Sequence, residues 1–426
     1  MSFSATSTSP KPSVASDRLR PPGCAPVRAH GVEGIPALNS RKDKTMTILM
    51  QASRQWASRP ADERYASLLD MQSRMTRRRE RSRATVESTR ALTVLPDESD
   101  PQHRGLYLGI ERGPLAGQLL APTHQAFGQI CSLAATPSPA SYFRESRVPA
   151  DIIADALNYN LRFTREVEDI GVLARLGNED NSLGVPAGSE LRAATGPAYG
   201  RIWDADIVDA LVERFGDGVS GHWRVPGEFG NRITVTKENT TLFASDRDMF
   251  VFLADEDRRI DVPGRRNGSG SMARGFFVWN SETGDKTLGL GFFLFDYVCA
   301  NRIVWGADQY TEVRIRHTKG APDRWLEEVA PVLKEYDEGS AQPVMQAIEA
   351  AREKRVKDDL DAFLAKRFGA RMVEPIKAIH LVEEERPIET LWDVTVAATA
   401  HARSIPNNDK RLEIERAAGE LLKLAA

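Results

Sequence analysis

The chain has 426 residues, of which 41% are hydrophobic and 27% charged, and its formal net charge is −3. This composition is typical of a globular protein of two or three domains and excludes a fibrous or wholly disordered chain. The small net charge excludes a general electrostatic need for a nucleic acid or a membrane surface as partner.

Charge is nevertheless distributed unevenly along the chain. Residues 1–90 contain 17 Lys and Arg against 8 Asp and Glu, which leaves 40 against 52 in the remainder. The sequence therefore predicts a basic N-terminal arm on an acidic body.

The three cysteines, Cys24, Cys131 and Cys299, are far apart and include no CxxC motif. This pattern excludes a disulfide framework and favours a reducing compartment, which we expect to be the cytoplasm. No apolar run approaches the roughly 18–20 residues that a membrane-spanning helix needs, so no membrane partner is expected.

Composition and pattern divide the chain into four regions. Residues 1–45 are rich in Ser, Pro, Thr and Gly and are predicted to be a disordered tail. Residues 46–165 are predicted to be a helical region, residues 166–320 an α+β core, and residues 321–426 a helical C-terminal region.

Ordered sequence is predicted to begin near Met46, so translation is expected to start at either Met1 or Met46. Ser58 and Pro60, followed by acidic residues, predict the first helix start. Further along, residues at i, i+3, i+4 and i+7 spacing predict a basic helical face: Arg74, Arg77, Arg78 and Arg81. Such a face is either a solvated helix end or a phosphate-binding surface.

Residues 114–165 have the pattern of helical hairpins, with Thr123 and Pro149 at helix starts. From about residue 168 the hydrophobic period changes. One strand, IGVLARLG, is followed by a short helix, DADIVDALVERFG, and then by a series of β-type segments: RITVTKE, TTLFAS, MFVFLAD, RGFFVWN, TLGLGFFLF and TEVRIRHT.

The turn signal SETGD lies between two of these apolar segments and predicts a β-hairpin. From Ala321 onward every segment is amphipathic with helical period. The predicted fold class is therefore α+β, with a central, mainly antiparallel sheet flanked by helices and a helical C-terminal portion.

The segment TLGLGFFLF places Gly289, Gly291, Phe293 and Phe295 on one face of a strand. Glycines inside a strand weaken it and often mark the close approach of another group. This face is therefore expected to be covered either by a closely packed helix or by a ligand such as a nucleic-acid strand.

The segment TEVRIRHT alternates apolar and basic residues, so one face of that strand is predicted to be basic. It forms a candidate positive surface with neighbouring loop residues: Arg265, Arg266, Arg274, Arg302, Arg314, Arg316, His317 and Lys319. Phe293, Phe295 and Trp305 are the candidates for base stacking, because grooves for single-stranded nucleic acid combine cations with aromatic rings. The alternative is a solvated face neutralised by the acidic surplus.

Signals for catalysis are weak. No histidine or cysteine spacing matches a metal site, and no nucleotide-binding glycine motif or GxSxG motif occurs, so no metal or cofactor is predicted. Cys299 lies in an apolar run and is expected to be a buried structural thiol. An enzyme remains one hypothesis, with a site assembled from Asp296, Cys299, Asn301 and His317, but a protein without catalytic activity is preferred.

The stretch FFVWNSETGDKTLGLGFFLFDYVCANRIVWG, together with EVRIRHT, resembles the phage/plasmid-like proteins gathered as domain of unknown function 932. The matching residues are an Asn-Ser-x-x-Gly turn, a Val-Cys-x-Asn element and a final His-Thr: Asn280, Ser281, Gly284, Val298, Cys299, Asn301, His317 and Thr318. Similar segments extend the resemblance to residues 50–426. Relatives often have glycine soon after the asparagine of the Val-Cys-x-Asn element, where this chain has Arg302 and Ile303.

The resemblance implies a phage, prophage or plasmid origin and a bacterial host cytoplasm, but no established activity. The leading expectation is a non-enzymatic nucleic-acid-binding protein, such as a single-stranded DNA annealing or replication accessory factor. The alternative is a protein–protein interaction module, such as a homo-oligomer, that does not bind nucleic acid.

Overall fold

The computed structural model describes residues 59–425, apart from 136–139, 165, 167, 178–187, 228–231, 264–268, 298–300, 306–311, 357–358 and 406–407. The fold is mixed α+β with a helical C-terminal part, as predicted. The strands are β1 Ser82–Ser88, β2 Leu92–Pro96, β3 Leu106–Ile110, β4 Leu119–Pro122, β5 Asp169–Arg175, β6 Glu190–Thr195, β7 Trp223–Arg224, β8 Leu242–Ala244, β9 Met249–Asp255, β10 Ile260–Pro263, β11 Ser269–Asn280, β12 Leu288–Asp296, β13 Asn301–Trp305 and β14 Val313–Ile315.

The α-helices of the described ranges are α1 Leu68–Arg81, α2 His124–Leu133, α3 Ala140–Glu145, α4 Ala150–Tyr159, α5 Asp204–Phe215, α6 Ala321–Glu338, α7 Gln342–Glu353, α8 Leu360–Phe368, α9 Val373–Glu384, α10 Leu391–Ala402 and α11 Asn408–Ala425. Thr123 is the N-cap of α2 and accepts a hydrogen bond from the backbone of Ala126, and Pro149 precedes α4, as predicted. A short 3-10 helix, Ala61–Glu63, follows the predicted Pro60, and α1 itself begins later, after the N-cap Ser67. Ser58 lies outside the described residues.

The strands form two sheets where the sequence predicted one. The first has the order β1-β5-β6-β4-β3-β2 and is antiparallel except between β4 and β6. The second contains β7 to β14, with β13-β12-β11-β9-β7 along its main path and every pair antiparallel.

The region 46–165 is not purely helical, because β1 to β4 lie within it. Conversely, the predicted strand RITVTKE is irregular, although Ile233 and Val235 pack against the core. Strand β1 follows α1 directly, so the six-stranded sheet begins where the sequence predicted the end of the basic helix.

The main hydrophobic core lies between one face of the eight-stranded sheet and the helices α1, α5 and α6. Helix α1 contributes Leu68, Met71 and Met75 to it, and strand β12 contributes Leu288, Leu290 and Phe292. A separate core packs α2 and α4 on the six-stranded sheet, and the C-terminal helices enclose two more.

The opposite face of the eight-stranded sheet contains an aromatic cluster that covers the glycines. Gly289 and Gly291 are paired across the strands with Trp279 and Phe277, and Gly275 is paired with Phe293. A Cβ atom added at Gly289 would lie 1.9 Å from the Trp279 ring. The aromatic rings of neighbouring strands therefore lie directly on the glycines, and Leu412 of α11 packs against the aromatic cluster.

Candidate functional site

The Asn-Ser-x-x-Gly sequence forms the tight turn between β11 and β12. Gly284 has a φ of 87°, a left-handed conformation that favours glycine. The hydroxyl of Ser281 accepts hydrogen bonds from the backbone of Thr283 and Asp285 and donates one to the carbonyl of Arg247. The predicted hairpin is thus confirmed, and its turn is held by its own side chains.

This turn docks on the N-terminus of α5. The amide of Asn280 donates hydrogen bonds to the carbonyl of Ile202 (2.9 Å) and to the carboxylate of Asp204 (2.7 Å). The carboxylate of Glu282 in turn accepts a hydrogen bond from the backbone N–H of Asp204 at 2.9 Å. A helix N-terminus favours negative charge, so the position suits both carboxylates.

Two arginines from other elements complete a buried ionic network. Arg192 of β6 lies 2.6 Å from Glu282, and Arg78 of α1 contacts both Glu282 and Asp204. The carboxylates and the Arg192 side chain are almost fully buried, and Arg78 is largely so. The network thereby joins the six-stranded sheet, α1, α5 and the hairpin of the eight-stranded sheet.

The two carboxyl groups are shifted in opposite directions. Burial and the neighbouring Glu282 carboxylate raise the pKa of Asp204 to about 7. Burial alone would also raise the pKa of Glu282, but Arg192 and Arg78 outweigh it and lower that pKa to about 2. Glu282 is therefore the stable anion of the pair, and Asp204 is the group that titrates near neutral pH.

The segment 199–203, which precedes α5, runs along the edge of this network. The rings of Tyr199 and His317 stack with centroids 4.8 Å apart, and Nδ1 of His317 lies 3.0 Å from the carbonyl of Gly200. The Tyr199 hydroxyl donates a hydrogen bond to the carbonyl of Ser281 at 2.7 Å. The Asn-Ser turn and the His-Thr element are thus brought together by Tyr199, although they are distant in sequence.

Arg201 in the same segment is buried but belongs to no ion pair within the described residues. Its guanidinium lies 5.3 Å from the ring centroid of Tyr199 and 6.0 Å from that of Trp203. Trp203 also contacts the guanidinium of Arg79 on α1 at 5.6 Å.

The predicted basic residues have different environments. Arg74 and Arg77 of α1 and Arg316 and Lys319 after β14 are exposed. Arg78 is instead directed into the buried network, so the predicted face of α1 is incomplete. Arg81 is only partly exposed and is the last residue of α1.

Two further predicted cations are neutralised or inaccessible. Arg274 is fully buried and donates hydrogen bonds to the carbonyls of Tyr336 and Gly339 at the C-terminus of α6. Arg314 lies 2.6 Å from Glu312. Arg265, Arg266, Val298 and Cys299, and the side chains of Arg302, Asn301 and Trp305, lie outside the described residues.

The candidates for stacking and catalysis are also separated. Phe293 is fully buried in the aromatic cluster and therefore inaccessible to a base. Asp296 pairs with Asn301 at one end of β12, whereas β14 pairs at the other end, beside Leu288. At about 3.3 Å per residue, Asp296 and His317 are roughly 25 Å apart, so they do not form one site.

No group of three or more His, Cys, Asp or Glu in the described part of the chain is arranged to hold a metal ion. Cys131, the cysteine that lies within the described residues, is buried, and burial raises the pKa of its thiol to about 11. An open cavity of 380 Å³ between α7 and α10 is lined by charged groups, but its Arg386 and Asp393 are paired with each other at 2.6 Å. Within the described ranges no helix is long and apolar enough to span a bilayer.

The sequence did not indicate three members of the network, Arg192, Asp204 and Glu282, nor the adjacent buried Arg201. Glu282 lies inside the predicted hairpin turn, and Asp204 at the start of the predicted helix, where acidic residues are common. Their burial was the missing information, since a carboxylate in a turn or a first helical turn is ordinarily exposed.

The fold and this network define an α+β protein with a buried ionic junction between its sheets. Residues 232–416 match the model of a family described as Domain of unknown function (DUF932), so the chain contains that domain. The matched residues include the Asn-Ser turn and the His-Thr element, but they begin after β7 and leave out the six-stranded sheet, a narrower range than the predicted 50–426. Neither a search of curated proteins nor a search of solved structures found a match.

Proposed function

We propose that the protein binds single-stranded nucleic acid without catalysis, as an accessory factor of a phage, prophage or plasmid in a bacterial cytoplasm. One observation carries the proposal: two basic segments that are remote in sequence contact the same short segment, 199–204. Thr318, beside Arg316 and Lys319, lies against Gly200, where an added Cβ would come within 1.8 Å of its carbonyl oxygen. At the other end, Asp204 and Trp203 contact Arg78 and Arg79 of α1.

Several exposed cations on the two basic segments have no carboxylate partner within the part of the chain that the structure describes. Arg316 and Lys319 are exposed at one end, and Arg74 and Arg77 are exposed on α1 at the other. Phosphate-binding surfaces use such exposed cations, with nearby aromatic groups adding base contacts. The half-buried ring of Trp203 replaces the buried Phe293 as the aromatic group beside these cations.

The test is fluorescence anisotropy with a labelled single-stranded oligonucleotide over a series of salt concentrations. Binding at about 50 mM salt should weaken steeply as salt rises, with a slope that falls by about 0.7 for each phosphate contact removed. The variant Arg316→Gln/Lys319→Gln should bind more weakly and with a lower slope. The matched control is Arg355→Gln/Arg371→Gln, which removes two exposed cations of the C-terminal helical region.

Absence of binding at about 50 mM salt would refute the proposal, because phosphate-driven affinity is strongest at low salt. An equal loss of affinity in the control variant would show that binding follows total charge rather than this surface.

A second candidate function is self-association, which one apolar stripe favours. Ile152 and Tyr159 on α4 and Phe163 just after it are 55%, 60% and 72% exposed, and the two rings lie 5.2 Å apart. Exposed large apolar groups that cluster in this way are typical of interaction surfaces. Light scattering should then show a multimer whose size does not change when DNA is added. The substitution Phe163→Ser should dissociate this multimer. A monomer at all protein concentrations would exclude self-association.

A further inference from the structure

Arg201 carries a buried positive charge that forms no ion pair with any residue the structure describes. The side chain belongs to a residue that is only 8% exposed, and its Nε and Nη1 atoms are buried without a hydrogen-bond partner. Buried guanidinium groups are ordinarily paired, because burying an unpaired charge is costly.

The neighbouring carboxylates do not supply the missing partner. Glu282 and Asp204 are already bound to Arg192, Arg78 and Asn280. The buried network and the adjacent segment together contain three arginines, Arg78, Arg192 and Arg201, but only two carboxyl groups, those of Asp204 and Glu282. One positive charge is therefore left over. Burial lowers the pKa of Arg201 to about 10, so its side chain is still a cation at neutral pH.

The surroundings of Arg201 fit an anion that enters from the surface. Tyr199 and Trp203 flank the guanidinium, and Trp203 is only partly buried, so the site borders solvent. Arg79 lies against the same Trp203 ring and would add to the positive field. A guanidinium fork matches a phosphate group with two parallel N–H donors, which are Nε with Nη2 on one side or Nη1 with Nη2 at the end of the group.

We propose that Arg201 is a binding site for a phosphate group, with Nη2 and one of the two unpartnered nitrogens donating to two phosphate oxygens. This deepens the proposed function, since the phosphate would be one of a nucleic-acid backbone. The same chemistry also suits inorganic phosphate or a free nucleotide, so the experiment separates these sources.

The first arm measures thermal stability with inorganic phosphate against chloride at equal ionic strength, for the wild-type chain, Arg201→Met and Arg192→Met. Phosphate should raise the melting temperature of the wild type by about 2 °C or more and leave Arg201→Met unchanged. Without phosphate, Arg201→Met should melt at the same temperature as the wild type or higher, because it removes an unpaired charge. Arg192→Met should melt lower, because it leaves Glu282 with one partner fewer.

The second arm repeats the oligonucleotide titration with Arg201→Lys, which keeps the charge but lacks the fork, and with Arg201→Met. Arg201→Met should lower the salt slope by about 0.7, whereas Arg201→Lys should keep the slope and bind more weakly. Phosphate stabilisation without any oligonucleotide binding would support the site as one for small phosphates and refute the proposed function. Oligonucleotide binding that depends on Arg201, without stabilisation by free phosphate, would assign the site to the nucleic-acid backbone.

Two results would overturn the inference. The first is an Arg201→Met variant that phosphate stabilises, and that binds the oligonucleotide, as well as the wild type does. Arg201 would then not be a phosphate site, but the proposed function would stand. The other is a fall in the melting temperature of Arg201→Met as large as that of Arg192→Met, which would make Arg201 a structural residue.

Discussion

Glu282→Gln is the substitution to which the buried network should respond most. The glutamine is nearly isosteric and keeps an oxygen that can accept the hydrogen bond from the backbone of Asp204. It removes the negative charge that lies 2.6 Å from Arg192 and 3.4 Å from Arg78. Removing one partner of a buried ion pair costs about 3–5 kcal/mol, because the remaining charge is left uncompensated.

That loss would be a large fraction of a typical stability of about 5–15 kcal/mol. The assay is urea unfolding followed by circular dichroism, with the free energy of unfolding extrapolated to water. Asp206→Asn is the matched control, because Asp206 pairs with Arg79 on the surface and both side chains are more than a third exposed. Exposed pairs contribute about 0–1 kcal/mol, so the control should be nearly neutral.

A double variant, Glu282→Gln/Arg192→Gln, sharpens the test. Its destabilisation should be smaller than the sum of the two single losses, because removing both charges leaves neither one uncompensated. A loss below about 1 kcal/mol for Glu282→Gln, or strict additivity in the double variant, would refute the view that these charges stabilise the junction between the sheets.

Three other predictions concern the sheet, the titrating carboxyl group and the ring stack. Gly289→Ala should lower the free energy of unfolding in urea by about 1–3 kcal/mol, because the added Cβ would clash with the Trp279 ring. Gly109→Ala, at a strand position with more space, should be nearly neutral, and equal effects of the two substitutions would contradict the packing argument. The pKa of Asp204 is raised in the folded state, so its carboxyl group contributes stability that is present below about pH 4 and is lost as pH rises to about 7. Melting curves of Asp204→Asn should lack this decline in stability, which is at most about 1.4 kcal/mol per pH unit. Identical pH profiles of the variant and the wild type would contradict the prediction. Tyr199→Phe removes the hydroxyl donor to Ser281 and should cost about 0.5–1.5 kcal/mol, while Tyr142→Phe, with an exposed ring, should not change the urea midpoint.

Local periodicity predicted the helices well, and the C-terminal helices best. Helices α6 to α9 and α11 each carry an apolar stripe that repeats within one segment, so no distant partner is needed to recognise them. Helix α10 is buried on nearly every side, and its continuous apolar run marks it instead. The strands β1 to β4 were missed because they are short and partly polar. The segment SRATVES follows α1 without a glycine or proline to mark the change, and its β-pairing is made with β5, far along the chain.

The basic face of α1 shows how a correct element can still yield a wrong surface. Leu68, Met71, Met75 and Arg78 are spaced by three, four and three residues, so Arg78 continues the buried stripe of the helix. The same holds for Arg274, which shares a strand face with the buried Phe276 and Val278. Periodicity therefore contained the signal that both arginines point inward, and charge alone obscured it.

Arg201 differs from these cases, because it lies in a loop where no periodicity indicates which side chains are buried. Its burial follows from tertiary contacts: Tyr199 stacks on His317 from beyond β14, and Trp203 lies against Arg79 of α1. Its lack of a partner follows from the pairing of Glu282 and Asp204 with Arg78 and Arg192, which are supplied by two other elements. A buried charge that contacts aromatic rings but has no ion-pair partner among the described residues is thus a property of the assembled fold.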